Sequence, residues 1–197
     1  YTRIPQMAAA DMDGDGLQDL LVTDIERMQG DDAFGAVHLI PAARINSLPR
    51  EPFVSGVIPK DEHLYKDPAS PGIYSVFGKT AKGLFGAAVG RVPLLGGDGR
   101  DAIVVGSPQS DVGGVAKTGG AFIYRHRFDG PGFEPIPLAI IAGETYRKGS
   151  QLGSSVDATL MDGVPTVIVG GFSGTPYMSD DIVDNGTVYT FQFPVQD

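Results

Sequence analysis

The chain has 197 residues, a formal net charge of −9 and a pI of about 4.7. One domain is the expectation at that length, and the acidic balance argues against nucleic acid and against unaided binding to an anionic membrane, both of which call for basic patches. Cysteine is absent, so there is no disulfide framework, and no apolar run approaches the ~20 residues of a membrane-spanning helix.

Glycine (28) and proline (15) are abundant and the apolar runs are short, which favours an all-β fold. A cysteine-free acidic chain fits a bacterial exported protein better than a small animal ectodomain. It begins at Tyr1 with no signal-peptide pattern, and a processed or excised piece is expected.

The first element is the small-residue run Met7-Ala8-Ala9-Ala10. It leads into Asp11-Met12-Asp13-Gly14-Asp15-Gly16-Leu17-Gln18-Asp19, with carboxylates at loop positions 1, 3, 5 and 9. Alternate acidic residues on a curled loop aim their oxygens at one centre, and glycine permits the curl because it takes φ > 0 without a Cβ clash. Four carboxylates there repel one another unless a cation joins them. Calcium accepts about 6–8 oxygens. Single oxygens of Asp11, Asp13 and Asp15, the Leu17 carbonyl and both oxygens of Asp19 would supply six of them. An acidic surface turn holding no metal is the competing reading. A helix–loop–helix site would need Glu at loop position 12, but Val22 stands there, in Leu20-Leu21-Val22, which reads as a buried strand.

Three segments share one plan of small-residue strand, turn, apolar strand, polar gap and third strand. The first runs from Met7 through the acidic loop and Asp19-Leu20-Leu21-Val22-Thr23-Asp24 to Phe34-Gly35-Ala36-Val37-His38-Leu39-Ile40. The second runs from Leu84-Phe85-Gly86-Ala87-Ala88-Val89-Gly90 through Gly96-Gly97-Asp98-Gly99 and Asp101-Ala102-Ile103-Val104-Val105-Gly106-Ser107-Pro108 to Gly119-Gly120-Ala121-Phe122-Ile123-Tyr124. The third runs from Gln151-Leu152-Gly153-Ser154-Ser155-Val156 through Met161-Asp162-Gly163 and Thr166-Val167-Ile168-Val169-Gly170-Gly171 to Asn185-Gly186-Thr187-Val188-Tyr189-Thr190-Phe191. A fourth strand precedes the next unit, at 73–78 and again at 137–143. The apolar second strand of each unit is expected to be buried on both faces. Four antiparallel strands repeated in this way describe the blades of a β-propeller.

These motifs resemble the FG-GAP repeat of the integrin alpha-subunit propeller and its bacterial relatives. Phe85-Gly86 is similar to the FG element, Leu152-Gly153 nearly so, and Gly106-Ser107-Pro108 resembles the GAP element with Ser for Ala. Asp11 to Asp19 is similar to the family's calcium loop. The resemblance implies about three blades: blade 1 over 1–78 with an insertion at 41–71, blade 2 over 79–143 and blade 3 over 144–197. Three blades do not close a ring, so part of a longer, seven-bladed chain is the expectation and completion by partner chains the alternative. The chain departs from the pattern in three ways. The first unit has no FG start, the second and third turns have lost most acidic ligands, and 41–71 is a proline-punctuated excursion with one short strand expected at 53–58.

Other motifs point to no catalysis. Gly78-Lys79-Thr80 lacks the preceding glycine of a phosphate loop, since position 73 is Ile. Gly97 to Ala102 fits a loose dinucleotide pattern but enters a strand, not a helix. His38, His63 and His126 have no metal-ligand spacing, and no nucleophile elbow exists. Asp180, Asp181 and Asp184 read as a solvated acidic loop, with a second cation as the alternative. Asn185-Gly186-Thr187 is both a glycosylation sequon and a hairpin turn, and the turn suffices.

The expectation is therefore a non-catalytic, calcium-binding propeller segment of an extracellular or cell-surface protein, serving adhesion or protein–protein interaction. Its metal ligands would be Asp11, Asp13, Asp15, Leu17 and Asp19. The resemblance implies a protein partner on the loop rim opposite the calcium loop, at 24–34, 79–84, 107–119, 144–151 and 171–185. The alternative is the propeller of a secreted hydrolase or carbohydrate-binding protein, whose glycan would meet Tyr146, Phe172 and Tyr177.

Overall fold

β-Branched and small residues, cut by Asp-Gly and Gly-Gly turns, build a mostly β structure. The computed structural model describes residues 4–46, 72–127, 130, 132–142, 150–171 and 186–194. Most of the 41–71 excursion, its strand expected at 53–58, His63, the aromatics Tyr146, Phe172 and Tyr177, and the Asp180, Asp181 and Asp184 cluster lie outside the described residues.

The first unit begins with β1 (Met7–Ala10) and β2 (Asp19–Asp24). A small hairpin, β3 (Met28–Gln29) and β4 (Asp32–Ala33), fills the polar gap. β5 (Ala36–Ile40) follows, then the short helix α1 (Ala42–Asn46) and β6 (Tyr74–Phe77). These form one antiparallel sheet in the order β1-β2-β5-β6. The second sheet repeats the meander with β7 (Ala88–Gly97), β8 (Arg100–Ser107), β9 (Gly120–Arg125) and β10 (Ala139–Ala142). The third has β11 (Ser155–Met161), β12 (Val164–Gly171) and β13 (Thr187–Gln192). Both fourth strands expected from the sequence are present, as β6 and β10.

The first strands of the three units lie side by side, β1 against β7 and β7 against β11. Two apolar clusters fill the spaces between the sheets. Leu21, Val37, Leu39 and Val76 of the first sheet meet Ile103, Val105 and Tyr124 of the second. On the second sheet's other face, Ala102, Val104, Ala121 and Ile123 meet Val167 and Val169 of the third. Successive residues of a strand point to opposite faces, so β8 alternates between the two clusters. Its Ala102, Ile103, Val104 and Val105 are all fully buried, as a strand packed on both sides should be.

The Phe-Gly and Leu-Gly dipeptides act as plugs between sheets. Phe85 is buried in the first cluster, edge-on to Phe122 and Tyr124 with centroids at 5.8 Å and 6.1 Å. Leu152 occupies the corresponding place in the second cluster. The glycine after each is left-handed, with φ +89° at both Gly86 and Gly153. Their amides donate to the carbonyls of Gly106 and Gly170, each at 3.0 Å. Backbone meets backbone here. A Cβ on Gly35 would collide with the Phe85 carbonyl, and one on Gly119 with the Leu152 carbonyl.

Candidate metal centre

What separates the first unit from the others is the connection between its first two strands. Asp98-Gly99 and Asp162-Gly163 are two-residue turns with positive φ at both residues: +52° and +80° in one, +52° and +79° in the other. That is the geometry of a tight type I′ hairpin, which Asp-Gly favours. In the first unit Ala10 pairs with Asp19, and residues 11–18 bulge out between them.

The loop winds around its own carboxylates. Asp11 Oδ1 accepts the Gly14 amide at 2.8 Å, and its Oδ2 accepts the Gly16 amide at 3.0 Å. Asp13 Oδ1 accepts the Asp15 amide at 3.1 Å and Asp15 Oδ1 the Leu17 amide at 2.8 Å. These are Asx turns, in which a side chain folds the backbone two residues on. Gly14 and Gly16, at φ +82° and +84°, supply the left-handed steps between them. Met12 points the other way and is fully buried in the first cluster, which roots the loop in the core.

The outcome is that Asp11, Asp13 and Asp15 each place a carboxylate oxygen within 4.8 Å of the others, a grouping that can hold a metal ion. Leu17 is half exposed, so its place in the predicted set rests on its backbone carbonyl. Asp19 stands outside the trio. It is 1% exposed, and its two oxygens accept the Met12 amide at 3.1 Å and the Ala42 amide at the start of α1 at 2.8 Å. Burial pushes the Asp19 carboxyl above its ordinary value; the two amides pull it down, and Asp13 and Asp15 push it further up.

Two residues of the second sheet, Asp101 and Arg100, reach the loop, which its motif alone does not indicate. Asp101, at the start of β8, bonds the Asp11 backbone in both directions, and Arg91 pairs with Asp101. Arg100 lays its side chain over Gly14, where a Cβ would stand 3.0 Å from Arg100 Cγ. The signal for Asp101 lay in the repeat itself, because it holds in the second unit the place of Asp19 in the first, directly before the apolar strand.

The two histidines among the described residues, His38 and His126, both have hydrogen-bond partners. His38 Nδ1 lies 2.7 Å from Ser75 Oγ, between β5 and β6. His126 Nδ1 donates to the Arg127 carbonyl at 2.7 Å, while its Nε2 accepts the Gly132 amide at 3.3 Å.

Among the described residues no helix is long and apolar enough to cross a membrane. No protein-family model matches the sequence, and no curated protein matches it.

Proposed function

We propose that this chain is a calcium-binding segment of an FG-GAP-type β-propeller, integrin alpha-like, belonging to an extracellular or cell-surface protein and acting non-catalytically in adhesion or protein–protein interaction. The observation that carries the metal reading is the convergence of Asp11, Asp13 and Asp15 on a glycine-turned loop. Calcium–oxygen distances of about 2.3–2.6 Å put opposite ligands roughly 5 Å apart. The oxygens of the trio lie within 4.8 Å of one another, close enough to share one ion. All donors are hard oxygens, the set that suits calcium, magnesium or manganese and not the softer transition metals. The Leu17 carbonyl and Asp19 complete the proposed set. Asp19 can ligate while keeping its amide partners, because each carboxylate oxygen has two lone pairs.

The propeller reading is supported by the repeated meander, the adjacent first strands and the plug inserted between successive sheets. The ion's role would be structural, relieving repulsion in a loop that connects two strands. The partner would meet the opposite rim, where the β3–β4 hairpin, Arg27, Met28 and Lys117 lie. Met28 is 51% exposed there. Parts of that rim also brace each other: the Lys82 amide donates to the Ala33 carbonyl at 2.6 Å, and the Gln109 amide to the Gly83 carbonyl at 3.0 Å.

The test is partner capture by the native protein with Tyr146→Ala and Tyr177→Ala, alongside melting temperature. Lost capture at unchanged stability supports the rim. Capture that survives both, or that fails instead on changes at Asp98 and Asp162, contradicts it.

A further inference from the structure

A second buried carboxylate stands against the acidic loop, and it comes from the neighbouring sheet. Asp101 is 1% exposed. Its Oδ2 accepts the Asp11 amide at 2.9 Å and Arg91 Nε at 2.6 Å. Its Oδ1 accepts Arg91 Nη2 at 3.1 Å and the Leu94 amide at 3.3 Å. The Leu94 amide belongs to the irregular stretch of β7 between Val92 and Gly97, where pairing with β8 shifts register. In return, the Asp101 amide donates to the Asp11 carbonyl at 2.9 Å. The first residue of the loop is thus fixed through both its N–H and its C=O by one residue of another sheet.

Asp101 and Asp19 hold the same place in their units but are neutralised differently. Asp101 has an arginine fork, which matches a carboxylate in two parallel bonds and holds it in one orientation. With Arg91 in place, Asp101 has one orientation in which to hold Asp11, and Asp11 is the first of the three converging carboxylates.

We propose that Asp101, oriented by Arg91, is the positioning residue that sets the acidic loop's affinity for its cation, and that a bound cation in turn fastens the first sheet to the second. The inference rests on the calcium reading of the loop. Reciprocity is required by linkage: whatever the seam adds to cation affinity, the cation adds to the seam. Charge alone predicts the opposite effect of removing Arg91, because deleting a cation near an acidic loop strengthens its pull on another cation. Positioning predicts that the pull weakens.

The experiment is a calorimetric calcium titration of the whole 197-residue chain, wild type beside Arg91→Met and Arg91→Lys, each checked for folding by melting in chelator. Arg91 is 46% exposed, so its replacement opens no cavity, while the buried Asp101 carboxylate keeps the Asp11 and Leu94 amides as partners; the melt in chelator measures what the lost ion pair costs. Arg91→Met should raise the dissociation constant about tenfold, and Arg91→Lys, which keeps the charge but loses the fork, should fall between. In wild type the Asp101 amide should exchange more slowly with solvent once calcium is added. Should Arg91→Met fail to fold, the comparison of Arg91→Lys with wild type decides. Wild-type binding with equal or tighter binding by the variants overturns this inference alone. No calcium uptake by wild type overturns the reading of the loop, and this inference with it.

Discussion

At the scale of single residues, the loop's carboxylates and His38 respond to different variables. Asp13 lies in the converging trio and, among the described residues, accepts only the Asp15 amide, so on the proposed reading it would contribute more to a cation than to the metal-free fold. Asp13→Ala should melt close to wild type in chelator and lose the stabilisation that calcium gives wild type. A ligand that binds only the folded state stabilises it by about 2.7 kcal/mol at a hundredfold excess over its dissociation constant; a calcium-dependent melting shift that persists in Asp13→Ala would remove Asp13 from the site. His38 responds to protons. Burial holds its imidazole below the ordinary 6.5, Asp24 draws it up and Arg27 pushes it down. The unfolded chain therefore takes up this proton at a higher pH than the folded chain does. Stability should be complete above about pH 6.5 and decline as pH falls from there towards the folded-state value. His38→Gln should flatten that slope in urea melts between pH 7 and pH 5; an unchanged slope would assign the acid sensitivity to other groups.

At the scale of elements, the strands of the repeated units and the recurring Phe-Gly and Leu-Gly dipeptides were legible in the sequence, while the β3–β4 hairpin, α1 and the close approaches between sheets were not. The run Ala102 to Val105 announced a strand buried on both faces, and β8 divides it between two clusters. Phe85-Gly86 and Leu152-Gly153 stood out by repetition, but their physical reason lies in their partners. Gly106 carries ordinary φ, yet a Cβ there would drive into the Gly153 carbonyl, which no local propensity encodes. Gly106→Ala should destabilise by about 1–3 kcal/mol, the range for overpacking. Gly130, with nothing within 4 Å of a Cβ, should accept alanine within roughly 0.5 kcal/mol. Equal melting temperatures for the two variants would show that the seam yields more readily than this packing implies. The acidic loop was legible by spacing, and three of its carboxylates do converge. The attachment of Asp19 to Met12 and Ala42, and of Asp11 to Asp101, was hidden, since hydrogen bonds across 7, 23 and 90 residues depend on the assembled sheets.

At the scale of the whole molecule, the three larger of the four antiparallel sheets among the described residues follow one another with their first strands adjacent, and of these the first alone has a long acidic connection between its first two strands. The other two units turn through Asp98-Gly99 and Asp162-Gly163, and a two-residue hairpin has no span in which to encircle an ion. The proposal thus predicts one strongly held cation per chain, seated at Asp11, Asp13 and Asp15 with Leu17 and Asp19 completing the set. The most direct measurement is a calorimetric titration of the native chain with calcium, repeated with Asp13→Ala and with magnesium in place of calcium. Magnesium keeps shorter bonds, near 2.0–2.1 Å, and holds its water more tightly, so it should bind more weakly. Calcium should bind with a stoichiometry of one and a dissociation constant in the ~10⁻⁶–10⁻³ M range, and that binding should be lost in the variant. No heat of calcium binding, a stoichiometry of two or three, or binding that Asp13→Ala leaves intact would contradict this reading of the loop.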